Sequence, residues 1–375
     1  MIKQDYKISM LEISLFGLFI VLSAIGLSYL YSASQAYSRA SGGFNGMIVR
    51  QGVFFLIGIC ALIFGMIYDH KNYQKLIKPL VIVSFLVLMT THIPGLGVEV
   101  KGAKSWVDLG LFRFQPSEIV KVVIVFYLSS VLAKKGEEIK DFYTGVFPPM
   151  LIVGVFSFLI FIENDFSMVF MIMLISMVIF YLAGIRFVTL IMIFLTGALS
   201  IFFMITSAQY RMRRVFAFLN PWEDPLGAGW QSIQAMKCFS HGGLFGVGLG
   251  NSNQTRTLLL PEAHNDYIFA VIAEEGGGIM AIIVLFLYLS LGIIGFNIAK
   301  KTNNPYSYLL ASGFTALILF QAMINIGVVM NIFPSTGVTL PLISAGGTSL
   351  VLTMFVIGVL LNIGLTSVNG ADSNE

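Results

Sequence analysis

Runs of about twenty apolar residues constrain this chain more than any other feature of it. The hydrocarbon core of a bilayer is about 30 Å thick, and a helix rising about 1.5 Å per residue crosses it with roughly 20 apolar residues. Ten such runs can be read, at about 12–32, 48–68, 77–93, 116–133, 143–162, 166–183, 187–207, 266–298, 306–330 and 347–367. The third, fourth and sixth are short, so they tilt little or borrow from their flanks. Only 11% of the 375 residues are charged, against 57% hydrophobic, too few charges to cover a water-soluble surface. The expected fold class is an all-α polytopic membrane protein with about ten transmembrane helices. A large extracytoplasmic loop, 208–265, joins spans seven and eight. The first run has no small-residue cleavage site and reads as a span rather than a signal peptide.

Basic residues set the orientation. With the N-terminus cytoplasmic, eleven lie inside: Lys3, Lys7, Lys71, Lys75, Lys78, Lys134, Lys135, Lys140, Arg186, Lys300 and Lys301. The short outer loops hold five, Arg39, Arg50, Lys101, Lys104 and Arg113, and the long loop is near the length at which the rule loses force. Both termini are expected in the cytoplasm, with the polar end "NGADSNE" (369–375) a short disordered tail. Five outer basic residues still need a reason. The net charge of +3 gives no reason to expect nucleic acid. Cys60 lies in an apolar run and reads as a packing residue. Cys238 lies in the long loop with no evident partner, so no disulfide framework is implied.

Charged residues inside or beside the spans carry the candidate chemistry. "LPEAHNDYIFAVIAEEGGG" (260–278) opens the eighth run with Glu262, His264, Asp266, Glu274 and Glu275. Asp266 stands where the long loop enters the span. There it could cap the helix, since the positive end of the dipole favours a carboxylate. Crowded with Glu262 and His264, it could instead be tuned for proton transfer. Glu274 and Glu275 lie about two turns deeper, where a lone charge costs on the order of 3 kcal/mol. They must be paired, protonated or in a polar cavity, and helix–helix pairing serves as well as chemistry.

In "QPSEIVK" (115–121), Pro116 suits a first helical turn, and Glu118 and Lys121 are an i,i+3 pair. That pair is either an internal salt bridge or a receptor for an anion. In "YRMRRVFAFLNPWEDPLGAGWQ" (210–231), Arg211, Arg213 and Arg214 adjoin an apolar, Trp-bearing stretch. The segment can rest on lipid headgroups, or one arginine can clamp phosphate with its planar fork. The glycines of "HGGLFGVGLGNSN" (241–253) lack a P-loop's lysine and preceding strand, so they read as tight turns at the membrane surface. "FPSTGVTLPLISAGGTSL" (333–350) is too polar and broken for continuous helix. Such backbone is tolerated at membrane depth only against protein or a watery cavity.

Taken together, "RFQPSEIVK", "RRVFAFLNPWEDPLGAGWQ", "GGLFGVGLGNS", "LPEAHNDYIFAVIAEE", "QAMINIGVV" and "TGVTLPLISAGGTSL" resemble the SEDS family. This family (shape, elongation, division and sporulation) comprises membrane glycosyltransferases that polymerise peptidoglycan. The likeness runs nearly end to end, defines residues 1–368 as one SEDS-type domain, and is nearer the division members than the elongation members. The chain departs from the family at Gly276-Gly277, where the family has Leu-Gly, and at Ala345 and Thr348, where it has Tyr and Ser. It departs also at Thr336, a lysine in several members, and across Asn164–Met168, where the family reads PDxGT.

The resemblance implies a reaction and roles. Lipid II, a disaccharide-pentapeptide on undecaprenyl diphosphate, would be joined into β-1,4 glycan with inversion. That needs a base on the acceptor hydroxyl and stabilisation of the departing diphosphate, and no covalent nucleophile. The family's essential aspartate falls on Asp266, which would be the base. Lys121, Arg213 and Arg214, with Glu118 and His264 beside them, would bind the substrate. A divalent cation could share the diphosphate, though no ligand set is evident. The implied partners are a class B penicillin-binding protein, other divisome proteins and membrane lipids, and the implied place is the bacterial inner membrane at the septum. A lipid II flippase, or the elongation role within the family, are the alternatives.

Overall fold

A computed structural model describes residues 9–40, 46–100, 102–110, 112–206 and 209–371. Some side chains within those ranges, among them Arg211 and Arg214, lie outside the description. The chain is mainly helical. In order the helices are α1 (Met10–Ala40), α2 (Gly46–Ile67), α3 (His70–Tyr73), α4 (Ile77–Met89), α5 (Pro116–Lys135), α6 (Phe147–Ile162), α7 (Phe166–Leu182) and α8 (Phe187–Thr206). They continue as α9 (Gln209–Leu219), α10 (Trp230–Gly242), α11 (Asn253–Arg256), α12 (Ile268–Glu275), α13 (Gly277–Lys300), α14 (Pro305–Val329) and α15 (Gly347–Ala371). Among the described residues, seven helical stretches are long and apolar enough to cross a membrane. These are Met10–Gln35, Gly46–Ile67, Pro116–Lys140, Phe142–Ile162, Gly277–Lys300, Pro305–Val329 and Gly347–Ser367. Three shorter apolar helices, Ile77–His92, Phe166–Leu182 and Phe187–Ser200, occupy the third, sixth and seventh runs.

Helices α5, α14 and α15 form the enclosed centre, and α2 shows most of its surface, as a lipid-facing helix can. Cys60 is exposed on α2, so it faces outward rather than packing, whereas Cys238 is buried on α10. Without a hydrophobic drive between helices in lipid, close backbone approach does the packing. Helices α2 and α15 achieve it through small residues: a Cβ on Gly358 would lie 2.2 Å from the Leu62 carbonyl oxygen.

Three expectations are corrected. The eighth run is not one helix from 266. It is a short buried helix, α12, a break at Gly276-Gly277, and then the spanning helix α13. Gly277 sits at φ +74, and a Cβ there would meet Gly246 N at 2.4 Å, so this junction accepts only glycine. The second correction is that the chain is not purely helical. The loop after α4 folds into a three-stranded antiparallel sheet, β1 (Gly97–Val100), β2 (Ala103–Asp108) and β3 (Arg113–Phe114), with Val98 opposite Trp106 and Val107 opposite Phe114. Alternating polar and apolar residues over "VEVKGAKSWVDL" carry that pattern in miniature. The third is that α15 runs through Ala371, into the segment read as a tail. Residues 372–375 lie outside the described residues.

The connections after α4, α6, α11 and α14 meet at one end of the bundle. Lys104 N donates to Glu163 O at 2.9 Å, and Ser167 Oγ donates to Thr336 O. Ala345 N donates to His264 O at 2.9 Å, and Ser344 Oγ to Asn265 O at 2.7 Å. The broken segment after α14 therefore lies against protein, where non-helical backbone is tolerated.

Candidate active site

The site is assembled on α14. Two amides four residues apart on this apolar helix, Gln321 and Asn325, share a face and are both buried. Gln321 accepts from Lys121 Nζ at 2.6 Å through Oε1, and its Nε2 reaches Thr339 O at 3.0 Å and Ser349 Oγ at 3.0 Å. Asn325 Nδ2 donates to Asp266 O at 2.8 Å and to Val338 O at 2.7 Å. Lys121 and Asp266 are thus fixed to one helix about one turn apart, roughly 6 Å of axial rise.

Lys121 comes from α5, whose first helical position is Pro116. Its Nζ lies 2.6 Å from Glu118 Oε2, and both side chains are almost wholly buried. A buried pair needs further hydrogen bonds to offset desolvation, and Gln321 supplies one to the ammonium. Next to it stands Asp165, the N-cap of α7, which accepts from Gln115 Nε2 at 2.7 Å and Met168 N at 3.2 Å. Burial first, and the Glu118 charge after it, push the Asp165 carboxyl above the usual range. Glu163, two residues earlier, accepts from Thr91 Oγ1 at 2.6 Å, and burial raises it to about 8, with Asp165 adding to the rise.

Asp266 does not cap α12. The N-cap is Tyr267, with no side-chain capping bond, and Asp266 ends the turn that precedes it. That turn pivots on Glu262, a non-glycine residue at φ +55, whose carbonyl accepts from Asn265 N at 2.9 Å. Strain of this kind is held only where surroundings over-determine it, which is common near functional groups. The Asp266 side chain is nearly buried, 9% exposed. Its Oδ2 lies 3.6 Å from where a Cβ on the exposed Gly337 would stand, so bare backbone passes beside the carboxylate. His264 is half-buried in the same turn.

The remaining residues divide. Arg213 is exposed on the amphipathic helix α9, and the bonds that join Asp266 and Lys121 to α14 do not run through it. Arg214 lies on the same helix, but its side chain is outside the described residues. An Asn331 Nδ2 bond to Phe218 O, 3.3 Å, ties α9 to the end of α14. Glu274 and Glu275 are paired. Ser252 Oγ donates to Glu274 at 2.5 Å, and Ser32 Oγ of α1 donates to Glu275 at 2.5 Å. Helix–helix pairing thus describes both, Glu275 through Ser32 of α1 and Glu274 through His241 of α10, whose Nδ1 lies 3.5 Å from Glu274 Oε1, and both also hold the glycine-rich loop through Ser252. Val247 N and Gly248 N close the clasp on the carbonyls of the two glutamates, each at 3.0 Å.

Sequence reading gave no role to Gln321, Asn325, Asp165 or Glu163. The signal for the first two was present: a pair of amides at i,i+4 inside an apolar run is costly in lipid unless both find partners. Among the described residues no group of three or more His, Cys, Asp and Glu could hold a metal ion. The divalent cation that the resemblance allows therefore has no protein-built seat among them.

The fold and site define a polytopic helical membrane protein that gathers a carboxylate, a buried lysine and their amide supports at one end. The chain belongs to the cell cycle protein family of FtsW, RodA and SpoVE, whose model matches residues 12–368. It is 34% identical to the probable peptidoglycan glycosyltransferase FtsW of Geobacter metallireducens, over 96% of this chain and 97% of that one. It is 36% identical to the stage V sporulation protein E of Bacillus subtilis, over 92% and 94%. Among solved structures it matches a chain of a peptidoglycan synthase complex at 26% identity, covering 94% and 97%, with a TM-score of 0.78. The rod shape determining protein RodA of Thermus thermophilus, 24% identical with a TM-score of 0.68 over 93% and 95%, shares the fold.

Proposed function

We propose that the chain is a peptidoglycan glycosyltransferase of the FtsW type that polymerises lipid II in the bacterial inner membrane. Asp266 is its general base. It takes the proton from the 4-hydroxyl of the acceptor sugar as that oxygen attacks the donor's anomeric carbon. The bond to the lipid diphosphate breaks, and an α-linked donor becomes a β-linked product. Lys121, held by Glu118 and Gln321, lends positive charge to the departing diphosphate, with Arg213 and Arg214 on α9 binding the substrate from outside and His264 beside the base. The observation that carries this reading is the mounting of Asp266 and Lys121 on Asn325 and Gln321, one turn apart in α14. A base and an anion receptor held on one helix are what a single displacement with no covalent nucleophile requires.

The topology goes with it: ten crossings, termini in the cytoplasm, and the site at the outer surface, where the outer basic residues meet an anionic substrate. Residues 1–368 act as one domain. The relatives near 35% identity point to septal rather than elongation work, and a class B penicillin-binding protein is the expected partner within a division complex. A flippase would need a second polar site at the opposite end and a path between. The test is polymerisation: reconstituted with lipid II and its transpeptidase, the wild-type chain yields glycan strands on a gel and releases undecaprenyl diphosphate. Movement of lipid II across the bilayer without strands would replace the transferase with the carrier.

A further inference from the structure

Asn325 is buried to 1% exposure in the last two turns of α14, and its side-chain donors serve other segments rather than its own helix. Both N–H groups of its amide go to main-chain carbonyls of other segments, Asp266 O and Val338 O. The amide cannot be turned over, because its oxygen would then face two carbonyl oxygens. Its Oδ1 has no partner among the described residues. A buried acceptor left so is destabilising, so what the side chain contributes is its two donors.

Those donors act on one point from two sides. The first holds the backbone of Asp266 itself. The second holds Val338, the neighbour of Gly337, whose bare backbone runs beside the Asp266 carboxylate. One side chain thereby sets the distance between that carboxylate and the segment it lies against. Other bonds support the same turn from elsewhere, through Ser344 on Asn265 O and Ala345 on His264 O. Asn325 joins Asp266 directly to the facing 337–339 segment, one bond landing on each.

We infer that Asn325 is a positioning residue for glycosyl transfer, holding the Asp266 carboxylate in register with the 337–339 segment. This rests on the reading of Asp266 as base. Misplacement of a catalytic group by about 1 Å can lower the rate on the order of 10²-fold. Substrate affinity, spread over the other groups, should change little.

The test uses the full chain with its partner transpeptidase under conditions in which wild type polymerises lipid II. Asn325→Asp keeps the shape but points oxygens at two carbonyls, Asn325→Ala removes both bonds, and Asn325→Ser can restore one. The Asp and Ala variants are expected to lose on the order of 10²-fold in kcat with KM within about threefold, and the Ser variant to fall between. The acid limb of the pH–rate profile should move in Asn325→Ala, because the carboxylate's surroundings change. In an Asp266→Glu background, Asn325→Ala should add far less than its full factor, since the two act through one group. Wild-type kcat in a folded Asn325→Asp variant would overturn the inference. So would a loss that follows thermal stability with the acid limb unmoved, or an undiminished factor in the Asp266→Glu background. An Asp266→Asn chain that is inactive beside a fully active Asn325→Asp chain sinks the positioning role alone. A fully active Asp266→Asn chain sinks the base first.

Discussion

Asp266 and Glu163 show how two carboxyl groups at one end of the bundle sit in different surroundings. Asp266 is held by its backbone in a strained turn and faces bare backbone at Gly337. Glu163 is enclosed, with one hydroxyl donor from Thr91, and burial carries it to about 8. The sign of the linkage follows. A carboxyl raised from 4.5 to about 8 in the folded state binds its proton more tightly there than in the unfolded chain. Its contribution is full below about pH 4.5 and is lost as pH rises through 8, at up to about 1.4 kcal/mol per pH unit. Glu163→Gln should therefore flatten the fall in thermal stability between pH 5 and 8, measured in detergent. An unchanged slope would mean that Glu163 ionises freely in the fold.

Lys121 gives a second expectation at the same scale. Removing one partner of a buried pair leaves an uncompensated charge and destabilises by about 3–5 kcal/mol. Glu118→Gln should lower the melting temperature sharply, and Glu118→Gln with Lys121→Met should recover much of it, while neither polymerises lipid II. A double variant that is both stable and active would reduce the pair to an internal salt bridge.

At the scale of elements, the break between α12 and α13 is the feature that pattern reading misjudged. An apolar run has no visible interruption when the interruption is two glycines, and hydropathy sees 266–298 as continuous. The physical cause lies elsewhere in the chain, in the loop 241–253 that folds back onto the junction and clasps Glu274 and Glu275. The same limit explains the sheet after α4, whose strands are too short to outweigh their surroundings. The glycine turns and the proline start of α5 were legible, because both rest on local backbone chemistry. A Gly277→Ala substitution tests the junction. It forces a side chain into a positive φ, about 1–2 kcal/mol by itself, and into Gly246 N. Loss of well over 2 kcal/mol of stability is expected, and an unchanged melting temperature would show that the clasp can yield.

Across the whole molecule, the alternation of spans placed the site residues at one end before any contact was known. Sequence alone brought forward Asp266, Glu118 and Lys121, because charge in an apolar helix is conspicuous. It left out Asn325 and Gln321, which carry no charge and whose partners are distant in the chain. Orientation has its own test. Leu226 is 84% exposed in the long loop, so Leu226→Cys in a Cys60→Ala, Cys238→Ala chain should react with an impermeant thiol reagent in intact spheroplasts. Labelling only after lysis would invert the topology and put the site on the wrong side for an extracytoplasmic polymer.

The central claim is that Asp266 takes the acceptor proton, and one substitution addresses it most directly. Asp266→Asn keeps the size of the side chain and the backbone bond to Asn325, so folding and partner binding should survive. Glycan polymerisation by the reconstituted chain, read as strand length and undecaprenyl diphosphate release, should fall hundreds-fold or more, equivalent to roughly 3–5 kcal/mol of barrier. Glycan strands of normal length at the wild-type rate from that variant would contradict the account.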